Sequence, residues 1–142
     1  MHTQPLSATP DDDGNITVTA AYTPASHIHP PESDFARYYT PPTLGPTAYL
    51  AWTQLVAWLP AGDGNIIVRY DEFAHGLGTS PARLTKALTR LAGFHLAHTL
   101  PEEPHVLHVK RRTAPLDQRQ LARLSERCPT LAANHDQLHQ TA

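Results

Sequence analysis

A chain of 142 residues, 40% of them hydrophobic, is long enough for one domain with a core of its own. The single cysteine, Cys128, excludes an intramolecular disulfide and a zinc site built from cysteines, and it favours a reducing cytoplasm. The first ten residues lack the basic and apolar runs of a signal peptide, and no apolar run reaches the roughly 18 residues of a membrane helix. Arginine outnumbers lysine nine to two, which is typical of a GC-rich bacterial genome such as an actinobacterial one.

The charges are distributed unevenly along the chain. Residues 1–68 carry six acidic side chains and one basic side chain. Residues 69–127 carry ten basic and six acidic side chains, a net charge of +4. This asymmetry indicates an anionic partner for the basic half, the alternative being an ordinary solvated surface.

The stretch 1–45 is expected to be a flexible arm, because it is rich in proline and carries an acidic run. Residues 16–19 alternate with period two and can form one short strand. Three aromatic residues can dock on the domain that follows: Phe35, Tyr38 and Tyr39. The sequence Thr40-Pro41-Pro42 is expected to stop any helix, because a residue before proline avoids the helical conformation.

The stretch 46–112 is patterned throughout and is expected to form the folded domain. Apolar residues recur at helical spacing from Pro46 to Leu59, which predicts an amphipathic helix. The β-branched run at 65–70 predicts a strand.

The chain continues with two more predicted helices and a hairpin. Asp71 is expected to cap a short helix, and Gly78 to end it in a left-handed conformation. Ser80 then begins a second helix over 81–92, which places three leucines on one face. The hairpin is predicted from two strands, 95–100 and 105–109, with the turn 101–104 between them.

The order of these elements resembles a winged helix-turn-helix domain, as found in small bacterial transcription regulators of the MarR-like and GntR-like groups. The segments that carry the resemblance are 71–78, 79–84 and 88–94. The resemblance implies an α+β, mostly helical fold: a winged helix-turn-helix with a disordered, proline-rich N-terminal arm and C-terminal helices. It also implies binding to double-stranded DNA.

The predicted second helix has a basic face beside its leucine face. Arg83, Lys86 and Arg90 share one arc of the helix, and Thr89 lies next to them. Such a face suits the major groove, where arginine and lysine pair with guanine edges or phosphates. Thr79 and Ser80 stand at the helix N-terminus and are expected to contact phosphate. The alternative is a solvated helix face.

A second basic cluster follows the last predicted strand and is expected to contact the phosphate backbone: Lys110, Arg111 and Arg112. The tip of the hairpin carries Glu102 and Glu103, which would repel phosphate. The hairpin is therefore not expected to enter a minor groove.

The C-terminal stretch 113–142 shows a heptad-like row of apolar residues. Pro129 interrupts it, so two helices are predicted, over 117–127 and 130–140. The leucines predicted to form a dimer interface are Leu121, Leu124, Leu131 and Leu138. The alternative is that these helices pack on their own domain. Three arginines line the polar face at steps of four: Arg119, Arg123 and Arg127.

The ten histidines invite a metal or catalytic interpretation, but no convincing ligand set accompanies them. The sequence lacks the phosphate-binding glycine loops, the HExxH motif and the GxSxG motif. We therefore expect no enzyme, no cofactor, no metal site and no membrane partner.

The sequence predicts a transcriptional regulator that binds double-stranded DNA, with helix 81–92 in the major groove, as a cytoplasmic, nucleoid-associated protein and a possible homodimer. The alternative is a winged-helix protein–protein interaction module that does not contact DNA.

Overall fold

The computed structural model describes residues 8–62 and 64–140. This part of the chain is an α+β fold, about half helical, with seven helices and one four-stranded mixed sheet. In chain order the elements are β1 (Asn15–Ala20), α1 (Asp34–Leu44), α2 (Pro46–Trp58), β2 (Asn65–Arg69), α3 (Tyr70–Gly76), α4 (Pro81–Gly93), β3 (Ala97–Leu100), β4 (Glu103–Val109), α5 (Gln118–Arg127), α6 (Pro129–Ala133) and α7 (His135–Gln140).

The sheet has the strand order β2-β1-β4-β3, so the N-terminal strand lies inside it. Strand β1 runs antiparallel to β2 and parallel to β4, where Thr17 is opposite Val106. Ile16 and Val18 point into the core and are almost fully buried. The prediction of a disordered arm is therefore wrong for this segment. The alternating strand foreseen at 16–19 obtains its backbone partners from two strands that are distant in sequence.

Helix α1 is a second departure from the predicted arm. Ser33 caps it, because its hydroxyl oxygen accepts a hydrogen bond from the Ala36 N–H at 3.1 Å. The helix continues through Pro41 and Pro42, so the expectation that the prolines would stop it is wrong. Both prolines stand near the C-terminal end, and burial of Phe35 and other apolar residues stabilises a helix that local preferences disfavour.

The main core lies between the inner face of the sheet and helices α2 and α4. Trp52 and Leu55 enter it from α2, and the three leucines of α4 meet them. A second, smaller core joins α1 to the C-terminal helices through Phe35, Tyr39 and Leu124. Apolar burial is the main stabilising term in both cores.

Helices α3 and α4 are joined by a tight turn over 77–80. Gly78 has a φ of +72° there, a backbone conformation that favours glycine, and its N–H donates to the His75 carbonyl. Helix α3 begins one residue before the predicted cap. Asp71 consequently lies in its first turn, 3.5 Å from the Arg69 guanidinium. The expected capping role of Asp71 is therefore wrong, because strand β2 runs directly into the helix.

Within residues 110–140 three helices follow the hairpin, where two were predicted. Asp117 and Gln120 form a reciprocal capping box at the start of α5. Pro129 separates α5 from α6 as expected, and Asn134 ends α6 one turn later. None of the helices in the described ranges is both long and apolar enough to span a lipid bilayer.

Candidate nucleic-acid interface

Helix α4 presents two chemically different faces. Ser80 begins it, because its hydroxyl oxygen accepts from the Arg83 N–H at 3.2 Å. One face carries leucines that are completely buried, which fixes the rotation of the helix about its axis. The other face exposes the predicted basic and polar side chains, Arg83, Lys86, Thr89 and Arg90. The amphipathic pattern thus predicted the orientation of this helix.

The basic side chains of α4 border a groove of about 300 Å³, which we call the α4 groove. Arg83, Lys86 and Arg90 line one side, and the corner between α1 and α2, residues 44–48, lines the other. Within the described part of the chain, these three cations form no ion pair with a carboxylate. Their charges are therefore available to an anionic ligand.

The hydroxyl groups near this face have different partners. Thr89 donates its hydroxyl hydrogen to the Thr85 carbonyl at 2.8 Å, so it offers a ligand only acceptor capacity. Ser80 accepts from the backbone, so its own hydrogen can still be donated to a phosphate oxygen. The N–H of Thr79 donates to the Ala74 carbonyl, which closes the turn.

The second predicted basic cluster, 110–112, forms hydrogen bonds with other segments of its own chain. Arg111 donates from Nη2 to the Pro60 carbonyl at 2.6 Å, and Arg112 donates from Nε to the His27 carbonyl at 2.8 Å. The Lys110 carbonyl accepts from the Trp52 indole N–H at 2.8 Å. These residues therefore join distant segments, and they are not among the residues that line a groove with Arg83, Lys86 and Arg90.

A larger groove, of about 980 Å³, lies between the end of α1, the segment 93–96 and helix α5; we call it the α5 groove. Its basic side chains are Lys110, Arg119, Arg123 and Arg127, and its acidic side chains are Asp117 and Glu126. None of these four cations pairs with a carboxylate among the described residues. The arginine spacing was visible in the sequence, but the groove is created by segments far from it.

The leucines predicted to form a dimer interface lie mostly within the second core. Leu124 is buried there, and Leu131 and Leu138 pack against the same cluster on α1. Leu121 is half-buried. This is the packing that the alternative interpretation described, and the homodimer stays a prediction.

Three histidines lie around the second core. His29 is fully buried, stacks on Phe35 with ring centroids 3.8 Å apart, and has its Nε2 2.7 Å from His139 Nδ1. His135 Nε2 accepts from the Leu116 N–H at 2.9 Å. Burial, together with the neighbouring His139 and His135, lowers the pKa of His29 to about 4. In the described ranges no group of three or more potential ligands is placed to hold a metal ion.

The buried His29 predicts an acid-sensitive stability. In the unfolded chain His29 takes up a proton near its ordinary pKa of 6.5, but in the folded protein it does so only near pH 4. Stability is therefore complete above pH 6.5 and is lost as the pH falls towards 4, by up to about 3 kcal/mol from this group. The measurement is the urea midpoint at a series of pH values from 7 to 4.5.

The variant His29→Phe isolates this contribution, because it keeps the stacking on Phe35 and cannot be protonated. Its urea midpoint should fall less steeply with pH than that of the wild type. Burial also lowers the pKa of His27 and His98, so some acid sensitivity remains in the variant. His75→Gln, at an exposed position, is the control. Parallel pH profiles for wild type and His29→Phe would show that His29 does not contribute.

The α4 groove and the α5 groove adjoin each other, since Leu44 at the end of α1 lines both. The α4 cations line one groove, and the α5 arginines line the other. Comparison of this chain with known protein families, with curated protein sequences and with solved structures gives no match.

Proposed function

We propose that the protein is a transcriptional regulator that binds double-stranded DNA in the cytoplasm, through a winged helix-turn-helix formed by α3, α4 and the β3–β4 hairpin. The observation that carries this proposal is the trio of exposed cations on α4, which form no ion pair with a carboxylate among the described residues. A helix of this length, about 20 Å, fits the major groove, which is about 12 Å wide.

The surroundings of α4 support the proposal. Helix α3 precedes it across a four-residue turn, and the hairpin follows it directly. The buried leucines anchor α4 rigidly, which is what a helix that contacts base edges requires. In this arrangement Arg83, Lys86 and Arg90 contact guanine edges or phosphates, and the Ser80 hydroxyl donates to a phosphate.

The second candidate function is a protein–protein interaction module. The observation that favours it is the acidic tip of the hairpin, where Glu102 and Glu103 are both exposed. In addition, Arg111 and Arg112 donate to carbonyls of their own chain and are not among the residues that line the α4 groove. A partner would then bind the hairpin tip through basic side chains of its own.

Salt-dependent binding to a duplex tests the proposal. We expect the wild-type protein to bind a mixed-sequence duplex of about 20 base pairs, with affinity that falls steeply between 50 and 200 mM salt. In a plot of log binding constant against log salt concentration, each phosphate contact contributes about −0.9 to the slope. For the variant Lys86→Gln/Arg90→Gln, the magnitude of this slope should be smaller by about 1.8. The variant should also bind at least about tenfold more weakly at 100 mM salt. Fluorescence anisotropy measures both quantities.

The control is Arg37→Gln/Arg69→Gln, which removes the same charge from exposed positions that line neither groove. Its slope should equal that of the wild type. If all three proteins bind equally, the assignment of α4 is wrong. If the wild type does not bind at 50 mM salt, the interaction module becomes the better interpretation.

A further inference from the structure

We propose that the α5 groove is a second phosphate-binding surface for the same DNA duplex, with Arg119, Arg123 and Arg127 as its contacts. This inference rests on the proposed function and extends it from one helix to two. It gives a role to an arginine row that the α4 contacts leave unused.

The charge of the α5 groove is the first step. Four basic side chains line it against two carboxylates, and none of the four is neutralised by an ion pair in the described part of the chain. Unpaired cations facing one groove repel each other, and a polyanion relieves this repulsion. Arginine also offers several N–H donors in a fork that suits phosphate oxygens.

The geometry of α5 is the second step. Its arginines stand four residues apart, so they lie on one side of the helix and advance about 6 Å along the axis at each step. Leu124 is buried on the side that packs against α1, and the capping box at Asp117 fixes the first turn. The helix therefore presents the arginines as a spaced row, which suits consecutive phosphates of a strand better than one compact anion.

The continuity of the two grooves is the third step. Helix α4 exposes its cations to the α4 groove, while its last residue, Gly93, lines the α5 groove. Leu44 borders both. In the proposed complex, a duplex whose major groove receives α4 would continue over the adjoining α5 groove. Lys110 adds a fourth cation to the lining of the α5 groove.

The test compares three variants that each lose two charges: Lys86→Gln/Arg90→Gln on α4, Arg119→Gln/Arg123→Gln on α5, and the control Arg37→Gln/Arg69→Gln. On a duplex of about 20 base pairs, we expect the magnitude of the slope of log binding constant against log salt concentration to be smaller by about 1.8 in the α5 variant. We also expect this variant to bind at least about tenfold more weakly at 100 mM salt. All the replaced side chains are exposed, so the urea midpoints should stay close to that of the wild type.

The outcomes separate the two proposals. If duplex binding weakens in both the α4 and α5 variants, both proposals are supported. If it weakens in the α4 variant alone, the α5 surface is overturned and the proposed function stays in place. If it weakens in the α5 variant alone, the α5 surface is supported and the role of α4 is overturned. If the α5 variant binds duplex normally but loses heat of binding to inorganic pyrophosphate that the wild type shows, the groove holds a small anion, and the proposal is overturned.

Discussion

Replacing Ile16 and Val18 together by alanine is expected to destabilise the protein by about 4 kcal/mol or more, a large part of the 5–15 kcal/mol that keeps a typical domain folded. Both side chains are almost fully buried on strand β1, which lies between β2 and β4. Their truncation leaves cavities at the middle of the sheet, where little can move to fill them. Urea unfolding followed by circular dichroism measures the loss.

The matched control is Thr17→Ala/Thr19→Ala on the same strand. These threonines point to the opposite, half-exposed face of the sheet, so their replacement should cost less than about 1 kcal/mol each. If both double variants unfold at the urea concentration of the wild type, β1 is not part of the core. The segment would then behave as the flexible arm that its composition indicated.

Replacing Trp52 by alanine should cost about 3–5 kcal/mol. Its indole ring is completely buried in the main core, and its N–H donates to the Lys110 carbonyl at 2.8 Å. This hydrogen bond joins α2 to the segment that follows β4. Trp52→Phe keeps most of the apolar contact and removes the donor, so an intermediate loss is expected.

Leu50→Ala on the same helix is the control, because Leu50 is 49% exposed. It should change stability by no more than about 0.5 kcal/mol. Intrinsic fluorescence gives a second readout, since the chain has two tryptophans and the Trp52 variants retain only Trp58. A Trp52→Ala protein as stable as the wild type would contradict the burial described for this residue.

The elements predicted correctly are those that local pattern decides. Helices α2 and α4 repeat apolar residues at helical spacing, and the hairpin follows from two short runs on either side of a turn. The N-terminal region could not be predicted in this way. Its prolines and acidic residues suggest disorder, but Val18 and Phe35 become buried against segments far along the chain.

In the candidate site, too, the features set by local pattern were predicted and those created by tertiary packing were not. The exposed basic face of α4 follows from helical geometry, since its opposite face is leucine-rich. The partners of Arg111 and Arg112 are the carbonyls of Pro60 and His27, which no spacing rule brings together. The α5 arginines were visible as a row, but tertiary packing of the end of α1 makes the groove they face.

The position of β1 inside the sheet also affects the order in which the strands can pair during synthesis. Thr17 pairs with Val106, about ninety residues later, so this edge of β1 stays unpaired until the ribosome has made β4. At 5–20 residues per second this wait lasts about 5–20 seconds. Pairings so distant in sequence also slow folding, to about milliseconds to seconds. Strand β2 is made earlier, at residues 65–69, so β1 gains one partner first and keeps its other edge unpaired until β4 has been made.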